Sequence, residues 1–334
     1  MLAHFLKRLP LGMLAGALWL VAPFASIAND TSATIGAGGL QFQQTNDVRM
    51  EHEELYLSPR EVRVSYVFRN ITSRDVTMTV AFPMPDIDVS EMEETPHDFH
   101  LSQNDGDIFD FHVAVDGREI VSDLDARAYR RDRPDQEVTA ILKKYKMPLL
   151  WEVPRGVTVT PDNDALVVEG LLEKSDNDFH ANWIVKANFH WQQTFPAGQI
   201  TRITHRYKPV IGFSWGPDGP DVVCPDKAFN AALEALPATR DGTRPYERLD
   251  YILKTGGNWA GPISQFRLEI EKGRADLVSL CPVPGLKLQR RGQSFIAEAS
   301  QYVPTTDIKL MFVYRACAKA PCEIGDRPPG LVER

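Results

Sequence analysis

The feature that most constrains this chain is a side-chain period of two, repeated in segment after segment. Val62, Val64, Tyr66 and Phe68 fall on one side of their segment, with Arg63, Ser65 and Arg69 on the other. Val76, Met78, Val80 and Phe82 oppose Thr77 and Thr79 in the same way. Phe111, Val113 and Val115 alternate with His112 and Ala114. Trp183, Val185, Ala187, Phe189 and Trp191 alternate with Lys186, Asn188 and His190. Phe266, Leu268 and Ile270 follow the rule, as do Ile308, Leu310, Phe312 and Tyr314. Successive side chains of a strand point to opposite faces, so each run predicts a strand with one face in a core and one in water. Antiparallel sheets produce this pattern, whereas parallel sheets covered on both faces read as continuous apolar runs. The fold class expected is mainly β: an antiparallel β-sandwich-like region followed by a smaller β-rich region with a few short helices.

Turn chemistry divides the runs. Arg69-Asn70-Ile71-Thr72-Ser73 predicts a hairpin between the first two strands, and Asp116-Gly117 is a strong two-residue turn pair. Helical signals are few. They cover Glu137–Tyr145, then Lys227–Leu236 capped by Asp226 and stopped by Pro237, then Tyr246–Lys254 closing at Gly256-Gly257. A cluster of Gly212, Gly216, Pro217, Gly219 and Pro220 reads as a linking turn. The organisation expected is a leader over 1–28, a β-sandwich-like domain over 29–210, a β-rich domain with short helices over 211–315, and a tail over 316–334.

The leader reads as a secretory signal peptide. Lys7 and Arg8 precede an apolar run from Leu9 to Phe24, and Ser26-Ile27-Ala28 puts small residues where processing needs them. Cleavage is expected between Ala28 and Asn29. The apolar run is broken by Pro10 and Pro23 and falls short of the ~20 residues a spanning helix needs. The processed chain is therefore expected in the periplasm or outside the cell, without a membrane span. All four cysteines, Cys224, Cys281, Cys317 and Cys322, lie late in the sequence. In an exported chain an even set reads as disulfides. Three pairings exist, of which Cys224–Cys281 with Cys317–Cys322 is favoured; a zinc site is the rival. The net charge of −8, with no basic run, makes nucleic acid a poor partner.

Beyond periodicity, a series of short motifs recurs in a recognisable order. Asn29-Asp30 is followed by Gly38-Gly39-Leu40-Gln41-Phe42, then Glu54-Leu55-Tyr56-Leu57-Ser58 and Ala81-Phe82-Pro83-Met84-Pro85-Asp86. Downstream come Tyr251-Ile252-Leu253-Lys254-Thr255-Gly256-Gly257-Asn258-Trp259, Gly261-Pro262-Ile263 and Phe266-Arg267-Leu268. In this order the chain resembles the exported bacterial family labelled domain of unknown function 4424. The resemblance covers about 29–315 and implies a periplasmic or secreted protein with no established activity. It supplies no catalytic residues to carry over. A looser likeness joins Phe82-Pro83, Val115-Asp116-Gly117 and Phe195-Pro196-Ala197-Gly198. It is similar to β-sandwich modules of the vault-protein inter-alpha-trypsin type, which act as interaction domains. That is an analogy of fold alone.

Several residue groups could carry chemistry. Gly212-Phe213-Ser214-Trp215-Gly216 matches a nucleophile elbow, but Pro217 and Pro220 oppose the helix an elbow needs, and no histidine follows Ser214. His97, His100 and His112 are candidate zinc or copper ligands of unspecific spacing, and Asp86 and Asp88 could join such a site or form an acid pair. Asp105 and Asp107 flank Gly106 as calcium loops do, though ordinary turn chemistry gives the same composition. Trp183 and Trp191 sit on an alternating apolar face and predict core packing. Trp215 and Trp259 sit among glycines and prolines, as a binding surface or as packing between domains. No motif implies an organic cofactor, and catalytic residues are not assigned. The function expected is a non-enzymatic binding or structural module of the envelope, meeting another envelope protein or a surface ligand. A metal-dependent hydrolase acting on an extracellular polymer or peptide, and a carbohydrate-binding module, are the alternatives.

Overall fold

A computed structural model describes residues 29–36, 39–90, 109–150, 162–175, 178–216 and 223–318. Its elements, numbered in chain order, assemble into three sheets and a small hairpin. The first sheet holds β1 (Thr31–Gly36), β2 (Gly39–Gln43), β5 (Val76–Pro83), β6 (Ile87–Asp88), β9 (Asp123–Arg130) and β12 (Trp183–Phe195). The second begins with β3 (Val48–Leu57), β4 (Val62–Asn70), β7 (His112–Val115) and β8 (Arg118–Ile120). It is completed by β13 (Ile200–Tyr207), β16 (Ile263–Glu271), β18 (Gln289–Arg291) and β19 (Ser294–Tyr302). The third contains β14 (Gly212–Trp215), β15 (Pro245–Tyr251), β17 (Leu277–Leu280) and β20 (Ile308–Val313). The hairpin is β10 (Leu172–Ser175) with β11 (Asp178–Ala181), and the helices are α1 (Thr139–Lys144), α2 (Asn163–Val168) and α3 (Lys227–Ala235).

The mainly β, antiparallel reading is correct. Among the described residues the parallel exception is β3 beside β16, paired from Gln265↔His52 to Ile270↔Leu57. Through that pair the eight-stranded sheet draws strands from both sides of the 210/211 boundary.

The first two sheets face one another. Phe68 meets Phe195 with ring centres 5.8 Å apart, Phe82 meets Tyr207 at 5.7 Å, and Phe111 stacks on Phe189 at 4.1 Å. The alternation of β12 is the source of much of this layer: Trp183, Val185, Ala187, Phe189, Trp191 and Phe195 are all buried. Each such large apolar side chain contributes roughly 1.5–3 kcal/mol on burial. Asp116 and Gly117 both adopt left-handed backbone, φ 48° and 79°, as the tight turn between β7 and β8 requires.

Four local expectations are corrected. The segment 70–73 does not close a hairpin, because β4 and β5 belong to opposite sheets. Asn70 carries the chain across: its Nδ2 donates to the carbonyls of Arg74 and Phe195, both at 2.8 Å, while its Oδ1 accepts from the Thr72 amide at 2.9 Å. Residues 245–251 form a strand rather than a helix. Tyr246 to Tyr251 pair in register with Val313 to Ile308, and this tertiary pairing outweighs helix propensity. Only Lys254–Asn258 winds up, as a 3₁₀ turn. Gly212–Trp215, the first part of the expected linking turn, is instead a strand paired to β15, and Pro217, Gly219 and Pro220 lie outside the described residues. Finally, β20 is buried on both faces rather than one. Leu310 and Phe312 enter the main core, whereas Met311 and Val313 pack under Phe229 and Leu233 of α3. The start of that helix follows the expected capping, Asp226 Oδ1 accepting from the Phe229 amide at 2.7 Å.

Cys224 and Cys281 are disulfide-bonded across a separation of 57 residues, tying the approach to α3 to the end of β17. Cys317 is also disulfide-bonded, and Cys322 lies outside the described residues.

Candidate functional site

Of the residues expected to bind metal, His112, Asp86 and Asp88 fall within the described residues. His97, His100, Asp105 and Asp107 lie outside the described residues. His112 stands on β7 with its ring 35% exposed, its Nε2 3.1 Å from Asp110 and its Nδ1 3.4 Å from Glu119. Some burial raises the Asp110 carboxyl, but His112 and Lys208 outweigh it and hold the group below its ordinary value. Asp86 lies 3.9 Å from Lys186. No group of three or more histidines, cysteines or carboxylates suited to a metal occurs among the described residues. Ser214 and Trp215 lie on β14, opposite Tyr246 and Pro245.

A dense polar constellation lies between the two large sheets, where residues 29–31 enter β1. Asn29, Asp30, Thr31 and Glu53 are fully buried. Asn29 Nδ2 donates to both carboxylate oxygens of Glu53, at 3.0 and 3.2 Å. The Asn29 Oδ1 accepts from the Asp30 amide at 3.0 Å and from the Tyr66 hydroxyl. Asp30 Oδ1 lies 2.9 Å from His205 Nε2, with both side chains completely sealed from solvent. Among the described residues, Asp30 Oδ2 and His205 Nδ1 have no hydrogen-bond partner.

Local backbone rules explain how these groups reach the interior. On β13, Thr201, Ile203, His205 and Tyr207 share one face and are all buried. His205 is thus the inward member of an alternating run. Glu53 gets inside differently. Val48 and Met50 point inward, and a bulge between Met50 and His52 then shifts the register, so Glu53, Leu55 and Leu57 take over the inward positions. Tyr66 of β4 sits directly opposite Glu53 in the register.

The segment around Trp259 closes the site. Trp259 was expected as a binding surface or as packing; it is 3% exposed and belongs to the core. Its Nε1 donates to the Asp30 carbonyl at 2.6 Å, and its ring centre lies 4.4 Å from that of Phe68. Asn258 Nδ2 donates to Thr31 Oγ1 at 2.9 Å. Gly256 provides the room, because a Cβ there would lie 2.8 Å from Asn29 Nδ2. The Thr255-Gly-Gly-Asn-Trp motif is therefore a clasp over residues 29–31.

Burial sets the electrostatics. It pushes the Glu53 carboxyl up to about 8, with the Asn29 hydrogen bond opposing and Asp30 adding to the rise. Asp30 is also raised by burial, with His205 opposing. The hydroxyls of Tyr66 and Tyr251 are raised well above their ordinary value, first by burial. Rings of Tyr66, Phe82, Phe111 and Trp191 surround His205 at 5.6, 5.0, 5.2 and 5.5 Å between centres. An imidazole and two carboxylates thus meet out of contact with solvent, where they can hold charge and protons inside the fold.

Residues 28–311 match the model of the family described as Domain of unknown function (DUF4424). The chain belongs to that family. Every residue of the sealed centre, from Asn29 to Trp259, falls within the matched DUF4424 span. No curated protein matches the chain. Among solved structures, a candidate nutrient binding protein from Legionella pneumophila subsp. pneumophila str. Philadelphia 1 is similar at 13% identity and a TM-score of 0.43, over 86% of this chain and 70% of that one. An M1 zinc metallopeptidase from Deinococcus radiodurans is similar at 12% identity and a TM-score of 0.21, over 81% of this chain and 43% of the peptidase. Likeness at these scores carries no functional weight for the DUF4424 chain.

Proposed function

We propose that this DUF4424 chain is an exported, non-enzymatic binding or structural module of the cell envelope, processed between Ala28 and Asn29. The observation that carries the reading is the use made of its best-equipped polar groups. Asp30, His205 and Glu53 are sealed between sheets and serve to seat residues 29–31. A histidine–carboxylate pair built for catalysis needs a face toward substrate, and this pair has none. The basic and apolar run before Ala28 supports export. The disulfides suit an oxidising compartment. No helix among the described residues is long and apolar enough to cross a membrane. Trp259 commits its indole N–H to Asp30, so the carbohydrate-binding reading loses that anchor.

Its partner on this reading is another envelope protein or a surface ligand, not nucleic acid. The test is fractionation of cells expressing the full chain, intact mass of the recovered protein, and crosslinking in the native envelope. The expected result is a chain beginning at Asn29 in the envelope or medium, crosslinked reproducibly to the same partner. A cytoplasmic chain that keeps its leader, or an envelope chain without specific crosslinks, would contradict the reading.

A further inference from the structure

Asn29 is the residue that processing would make first, and it is fully buried. Its α-nitrogen is buried with it. Hydrolysis of the Ala28–Asn29 bond by a leader peptidase adds water across that bond. The hydroxyl goes to the Ala28 carbonyl carbon and the hydrogen to Asn29 nitrogen, which takes a proton from solvent. A neutral amide nitrogen thereby becomes an ammonium. A buried ammonium is costly unless anions surround it. Two carboxylates, Glu53 and Asp30, are already in that interior, and one oxygen of Asp30 has no partner among the described residues.

We propose that this interior is a binding site for the chain's own new N-terminus, with Glu53 as counter-ion to the Asn29 ammonium and Asp30 facing both it and His205. The inference rests on the processing proposed above. It explains why the bulge between Met50 and His52 turns a carboxylate, Glu53, inward where an apolar residue would pack more simply. It also explains the clasp: Gly256 leaves space for Asn29, while Asn258 and Trp259 hold Thr31 and Asp30. Removal of the leader thus becomes a step in stabilising the fold as well as in export.

The titratable groups that interact with Glu53 or Asp30 in this interior are Tyr66 of β4, His205 of β13, Tyr251 of β15 and Tyr302 of β19. While Asn29 nitrogen is an amide, Glu53 is held near 8 against an ordinary 4.5. A carboxyl raised in this way contributes stability below pH 4.5 that is lost as pH rises to about 8. An ammonium beside Glu53 reverses this by favouring its ionised form. The processed chain then keeps its stability until the ammonium itself titrates, above the ~8 of a free α-amine.

The test compares the processed chain beginning at Asn29, recovered after export, with the same chain carrying Ala28 as one extra residue, each with and without Glu53→Gln. Thermal unfolding is followed from pH 5 to 9. The account expects the extra residue to lower Tm at pH 7 by at least ~5 °C. It expects Glu53→Gln to lower the Tm of the processed chain and largely to erase the difference between the two forms. The extended chain should lose stability from pH 5 to 8 while the processed chain does not. The native α-amine should resist amine-reactive labelling until the protein unfolds. Equal Tm values with and without Ala28, or a Glu53→Gln effect of the same size in both, would overturn the site while leaving processing intact. A recovered mass that does not begin at Asn29 would overturn the processing reading, and the site with it.

Discussion

Among the described residues, two histidine–aspartate contacts of nearly the same distance stand on neighbouring strands. His205 of β13 lies 2.9 Å from Asp30, and His112 of β7 lies 3.1 Å from Asp110. In the register, His205 faces Val113 and His112 faces Arg206, so one step along the pleat separates an inward histidine from an outward one. The inward pair is 0% exposed on both sides; the outward pair is 35% and 50% exposed. Water and salt screen the outward contact, which makes it worth at most ~1 kcal/mol. The inward contact has lost its solvent and depends wholly on its partners. Breaking one side of such a pair costs ~3–5 kcal/mol, largely from the charge left stranded. Identical chemistry thus has a structural role in one place and a marginal one in the other, and side-chain parity decides which.

The largest expected effect comes from His205→Ala. It strands Asp30 and empties a space walled by four aromatic rings. Urea unfolding should show a loss of ~3–5 kcal/mol. A loss below ~1 kcal/mol would mean that the buried pair is no more important than a surface one. Gly256→Ala should cost an intermediate ~1–3 kcal/mol, because the added methyl meets Asn29 Nδ2 at 2.8 Å. That cost should shrink when Asn29→Ala is made in the same chain, since the two residues share one space. Simple additivity would contradict the clasp. The smallest effect belongs to His112→Ala, expected to stay within ~1 kcal/mol at any salt concentration.

The sequence was legible where parity was regular. The runs in β4, β12 and β16 announce a half-buried face, and the sheets follow them. His205 was readable in the same way, as the inward polar member of Thr201-Ile203-His205-Tyr207. Glu53 was not, because the bulge after Met50 switches which parity is inward and leaves no mark in residue type. Alternation also says nothing about which sheet a strand joins, so the turn at Asn70 read as a hairpin although it crosses the sandwich. In β15, Glu247, Arg248 and Asp250 interrupt the apolar positions at spacings that imitate a helix. Only the pairing with β14 and β20 decides that segment. Trp259 carried an ambiguous signal, a large aromatic among glycines, and its meaning depended on Asn29 and Asp30 more than two hundred residues earlier.

The measurement that tests the central claim most directly is a side-by-side urea titration of His205→Ala and His112→Ala in the processed chain. The account predicts a large fall in the midpoint for His205→Ala, with His112→Ala close to the unaltered protein. Equal midpoints for the two, or a larger fall for His112→Ala, would contradict the claim that the sealed centre around Asp30 holds the two sheets together.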